Sequence, residues 1–88
     1  MAKSIKRSDL YVGQLIVRGE HPDAQVYTIG RIDGFIVTLN WYEGTHLCEQ
    51  RSDYSGCLLP TLKQIEYSIE NNGPLARLSV AASLQEQA

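Results

Sequence analysis

The sequence predicts a mainly β domain in which five short strands curl into a small barrel, followed by a short C-terminal helix. Three observations carry that expectation. Two β-rich runs, residues 26–32 and 35–42, flank Asp33-Gly34, a dipeptide that signals a two-residue hairpin of type I′. Gly30 lies inside the first run, where a glycine marks the bulge or bend that curls a sheet. Residues 65–69 set Ile65, Tyr67 and Ile69 against Glu66, Ser68 and Glu70, a period-two pattern.

The remaining elements follow in chain order. Residues 14–18, Gln-Leu-Ile-Val-Arg, read as the first strand, and the loop 19–23 is punctuated by Gly19 and Pro22. In the third strand Phe35, Val37, Leu39 and Trp41 share one face, expected to be the core side. Glu43-Gly44 turns the chain into a more polar strand, residues 45–51, which completes a meander. Residues 52–56 form a polar loop and 57–59 a short strand. Pro60 stops that strand, residues 60–64 read as one helical turn, and 65–69 close the barrel. The organisation is a basic segment (1–9), a barrel (10–70) and a C-terminal helical segment (71–88). Pro74 opens that helix. Its apolar residues Leu75, Leu78, Val80, Ala82 and Leu84 form no clean stripe, so it docks on the barrel or a second subunit, or it frays.

Eighty-eight residues make one domain that buries about 60–65% of its unfolded surface, too little for a deep cleft. No apolar run reaches the roughly 18 residues of a membrane span, and the basic start lacks the apolar stretch of a signal peptide. The expected location is the cytoplasm, where two thiols make no disulfide framework, although Cys48 and Cys57 can bridge if their strands pair. Lys3, Lys6 and Arg7 make the first residues basic, read as a mobile, solvated end. From Ser8 to Glu70, nine acids and four bases give −5. Such a body repels a nucleic-acid backbone unless Arg18, Arg31, Arg51 and Lys63 converge on one face.

No motif carries a reaction. His46 and Cys48 alternate on one strand without the paired knuckles of a structural zinc site, and no nucleophile elbow is present. The chain is therefore read as non-enzymatic, with no metal and no cofactor. The aromatic residues are the remaining candidates. Trp41 and Tyr42 point to opposite faces of one strand. Tyr42 and Tyr54, beside Glu43 and Asp53, make a candidate site for a cationic group through cation–π and Coulomb attraction. The plainer alternatives are tyrosines capping the barrel ends, or a homo-oligomer interface that covers strand edges.

The strand order, the tight meander and the helical turn before a last strand resemble an SH3-like barrel over residues 10–69. The chain is also similar in outline to the type II, plasmid-borne dihydrofolate reductases, SH3-like subunits that form tetramers around a shared pore. Where that family carries Val-Gln-Ile-Tyr before a proline, this chain reads Cys57-Leu58-Leu59-Pro60. It keeps the proline and lacks the glutamine and tyrosine that contact pterin and nicotinamide. A looser resemblance is to small accessory proteins of phages, plasmids and integron cassettes. Together these imply a binding or assembly module that recognises a protein segment or itself. Nucleic-acid binding and an oligomeric reductase-like enzyme stand as alternatives.

Overall fold

A four-stranded antiparallel sheet forms the centre of the molecule, in the order β1 (Leu15–Val17), β2 (Val26–Asp33), β3 (Ile36–Glu43) and β4 (His46–Asp53). Two helices follow, α1 (Leu62–Asn71) and α2 (Pro74–Gln87). The computed structural model describes residues 4–87, with side chains to residue 83. Met1, Ala2 and Lys3 of the predicted basic segment lie outside the described residues, as does the side chain of Leu84. The architecture is mainly β: an open four-stranded sheet with two C-terminal helices.

The meander stands where the sequence placed it, with each turn moved one residue on. Asp33 pairs with Ile36, so the two-residue loop is Gly34-Phe35 rather than Asp33-Gly34. Gly34 has φ +64°, and no non-glycine residue among those described has positive φ. Positive φ at the first loop position alone is the type II′ pattern, which replaces the expected type I′ turn. Glu43 likewise pairs with His46 around Gly44-Thr45. Phe35 therefore leaves the predicted core face and sits in the turn, 65% exposed. Val37 and Leu39 are buried as expected, and Trp41 is half-buried.

Gly30 is the predicted irregularity. Ile29 pairs with Leu39, but Arg31 pairs with Thr38, so one residue of β2 is unpaired and the register slips there. The slip reverses the parity of the strand. Ile29 and Ile32, three apart, now both belong to the core on one face, while Arg31 turns to the other. The Asn40 amide lies so close to Gly30 that a Cβ there would overlap it.

Each sheet face carries its own hydrophobic cluster. One holds Ile5, Leu10, Ile16, Ile29, Val37, Leu39 and Cys57, flanked by Tyr27, Ile32 and Tyr54. The second packs Leu15, Val17, Ala24, Val26 and Val80 with Leu58, Ile65 and Ile69. This is why β1 is buried at all three positions: Ile16 serves the first cluster, and Leu15 and Val17 the second. Ile5 also corrects the reading of residues 1–9 as a mobile end, because it is buried and its N–H meets Cys57 O at 3.4 Å.

Two predicted strands are not strands. Residues 57–59 make only isolated bridges at Leu58, to Ser4 and to Val17. Val17 N–H donates to Leu58 O at 2.9 Å, and Leu58 N–H to Val17 O at 2.8 Å. Residues 65–69 lie within α1. The inward residues of that helix are Gln64, Ile65, Ser68 and Ile69, a helical stripe of which half is polar. The two buried polar positions masked the helical period and left an alternation that imitates a strand. Tyr67, assigned to the buried strand face, is 42% exposed.

Gln64 secures this helix to the sheet. Its Oε1 accepts from Thr61 N–H at 2.9 Å, and Thr61 Oγ1 accepts from Gln64 N–H at 3.2 Å, completing a capping box. Its Nε2 donates to Gly19 O and His21 O, both at 3.0 Å, clasping the β1–β2 loop. The C-terminal segment docks on the sheet: α2 buries Ala76, Val80 and Ser83, and Val80 joins the second cluster.

Gln64→Ala removes the cap and leaves two loop carbonyls without their donor, so urea denaturation registers a loss of about 2–3 kcal/mol. Gln64→Glu keeps the box but aims a carboxylate at two carbonyls, which raises its folded pKa. The stability of this variant then falls as pH rises above about 4.3, the ordinary glutamate value. Gly30→Ala costs about 1–3 kcal/mol through overlap with Asn40. Adding Asn40→Ala recovers most of it in a double-mutant cycle.

Candidate functional site

The five predicted site residues divide between the two ends of the β3–β4 hairpin. Trp41, Tyr42 and Glu43 lie beside the Gly44-Thr45 turn, where Tyr42 pairs with Leu47. Asp53 and Tyr54 lie at the other end, where Asp53 pairs with Ile36. Six residues of extended chain, about 20 Å, separate Tyr42 from Ile36. Tyr42 and Tyr54 therefore do not form the expected pair.

At the first end, Trp41 packs edge-on against Tyr27, with ring centroids 5.0 Å apart. Its indole N–H donates to Glu43 Oε1 at 3.2 Å. Cys48, opposite Trp41, is partly exposed. Desolvation and then the Glu43 carboxylate push its thiol up. Tyr42 is half-buried on the opposite face, beside a cavity of about 10 Å³ lined by Thr28, Asn40, Ser68 and Ser79. That volume matches a single water. Asn40 Oδ1 is buried there without a hydrogen-bond partner.

The second end gathers four of the chain's five arginines around the β2–β3 turn. Arg7 Nε donates to Gly34 O at 2.6 Å. Arg18 Nη1 donates to Asp53 O at 2.7 Å. Arg31 and Arg51, both opposite Thr38, each hold a nitrogen 3.9 Å from Asp33 Oδ2. They are largely exposed, so these ion pairs are weak and the guanidinium groups face water. Phe35 stacks on Tyr54 with centroids 5.9 Å apart and planes 23° from parallel. The Tyr54 N–H also donates to Phe35 O at 2.9 Å. Asp53 is committed to the turn: its carboxylate accepts from Ser55 N–H at 2.8 Å. That bond, with Ser55's side chain and more weakly Arg18, lowers its pKa.

The condition named for anion binding is thus met in part. The four arginines fall into two groups: Arg31 and Arg51 share one sheet face beside Asp33, Arg7 and Arg18 bind backbone carbonyls at the hairpin end, and Lys63 lies on α1. Sequence reasoning missed Phe35, read as core, and Arg7, read as part of a mobile end. Arg31 joins Arg51 only because the slip at Gly30 sets both opposite Thr38.

Cys57 is buried, and desolvation raises its thiol against the opposing pull of Arg18. Both cysteines are free thiols. Among the described residues no three His, Cys, Asp or Glu side chains gather as a metal set, and no helix is long and apolar enough to cross a membrane. A groove of about 170 Å³ beside Arg18, lined also by Gly19, His21, Ala24, Gln25 and Tyr27, is smaller than an ordinary small-molecule site.

The fold and this tip define a small sheet-and-helix protein with an arginine–aromatic surface. In comparisons with known proteins, no family model, curated protein or solved structure matches the chain.

The thiols provide a check on this geometry. In the native protein Cys48 is alkylated first, and Cys57 reacts only as the chain unfolds. Peptide mapping after a timed iodoacetamide pulse reads the order, and equal labelling of both would contradict the packing of Cys57.

Proposed function

We propose that this protein is a non-enzymatic binding module whose hairpin tip receives single-stranded nucleic acid. The observation that carries this reading is the exposed Phe35–Tyr54 stack at the hairpin end, with Arg7 and Arg18 bound to the backbone there and Arg31 and Arg51 exposed on the opposite sheet face. Exposed aromatic rings accept bases by stacking, and arginines accept the phosphates between them. The only carboxylates within these contacts are Asp33, shared between two arginines, and Asp53, engaged with Ser55. The net charge of −2 makes such binding local to the tip and weak elsewhere.

The reading that began from the sequence, a basic protein segment held by Tyr42 and Tyr54, has less support because those rings stand at opposite ends. Assembly with other copies is favoured by one observation, the unpaired outer edge of β4 among the described residues. The SH3-like resemblance keeps the order of the meander but loses the two last strands on which it also rested, because residues 57–59 make isolated bridges and 65–69 lie in α1.

Fluorescence anisotropy with a labelled oligothymidylate tests the nucleic-acid reading. Binding is expected at low salt, with a slope of log K against log[salt] no steeper than about −3 for four phosphate contacts. Phe35→Ala removes about 1–3 kcal/mol of that affinity. Arg31→Gln flattens the salt slope. A phosphopeptide that binds as well with Phe35 replaced, or an oligonucleotide that does not bind at low salt, would overturn the reading.

A further inference from the structure

We infer that β4 is a self-complementary edge, and that two copies of this chain join antiparallel through it with the two-fold axis at Gln50. This inference does not rest on nucleic-acid binding, although it draws on Arg51, which the hairpin-tip reading also uses. β4 ends the sheet order, so its outer edge has no strand neighbour among the described residues; Arg18 covers it only at Asp53.

The direction of its free backbone groups follows from the ladder. The N–H of Tyr54 bonds Phe35 O, and the antiparallel register continues from that pair through Val37–Ser52 and Leu39–Gln50 to Glu43–His46. Because hydrogen-bonded and non-bonded pairs alternate, His46, Cys48, Gln50 and Ser52 address β3. Leu47, Glu49 and Arg51 present their N–H and C=O groups outward, and Asp53 its N–H, since Asp53 O accepts from Arg18.

The side chains on those outward positions then select a register. A two-fold axis perpendicular to the sheet keeps each face continuous, so odd positions meet odd positions. An axis at Glu49 opposes two glutamates, and an axis at Arg51 opposes two arginines. Each arrangement sets like charges directly across the pair, which is destabilising. An axis at Gln50 sets Glu49 opposite Arg51 of the second copy, and the same pair recurs on the other side of the axis. Leu47 then faces Asp53, and Cys48 faces Ser52. Within one copy, Glu49 has no ion pair among the described residues and Arg51 has only its 3.9 Å contact with Asp33. Both charges are exposed and available to a partner. The result is an isologous dimer with one continuous sheet across the axis.

Analytical ultracentrifugation of the full chain across a concentration series, with reductant present and nucleic acid absent, tests this. The wild type is expected at twice the monomer mass at the upper concentrations. Glu49→Arg and Arg51→Glu each set like charges in opposition, and each returns the monomer. The double exchange Glu49→Arg with Arg51→Glu restores both pairs in this register, so it restores the dimer. Glu49→Pro removes an outward N–H that β3 does not use and also gives monomer, with circular dichroism verifying the fold of every variant. A monomeric wild type, a double exchange that stays monomeric, or a dimer present only without reductant would overturn the inference. The last result would point to a Cys48–Cys48 link.

Discussion

One unpaired residue sets the arrangement of this molecule. Without the slip at Gly30, continuing the Ile29–Leu39 register would bring Arg31 opposite Val37, on the face that forms the first core. A guanidinium there would need a buried partner, and the first cluster supplies none. The bulge turns Arg31 outward, returns Ile32 to the core and bends the strand. A Cβ at this position would overlap the Asn40 amide, so a side chain there requires Asn40 to move. Core composition and surface charge thus descend from the same local irregularity.

Much of the central meander was legible because its signals are local. Gly30 and the two X-Gly turns mark bends that the chain itself demands. The one-residue offset of each turn arose because Asp33 and Glu43 still have ladder partners in Ile36 and His46. Helix α1 was misread for a physical reason. Its buried stripe includes Gln64 and Ser68, whose value lies in hydrogen bonds that hydropathy does not register. The overlooked signal was Thr61-Leu62-Lys63-Gln64, the spacing of a capping box.

The candidate site was less legible, because it depends on which strands adjoin and in what register. Arg7, Arg18, Arg31 and Arg51 are scattered through the sequence. Arg7 and Arg18 reach the hairpin end only once the chain is folded, and Arg31 and Arg51 become neighbours only through the register at Thr38. The predicted tyrosine pair failed by the same logic, since the length of β3 alone holds its ends apart. Acidic residues dominate the middle of the chain, yet the tip is richer in arginine, so the summed charge conceals a separation between regions.

The burial of β1 on both faces has a consequence for cooperativity. Its three residues, with Val26 and Ile29 of β2, form the wall shared by the two hydrophobic clusters. Helices α1 and α2 reach the sheet through the second cluster and through the Gln64 clasp, whereas the first cluster lies on the other sheet face. The helical layer is therefore a separable unit of local opening. It can detach while the meander keeps its core, and the amides of α2 then exchange with solvent ahead of those in β2 and β3.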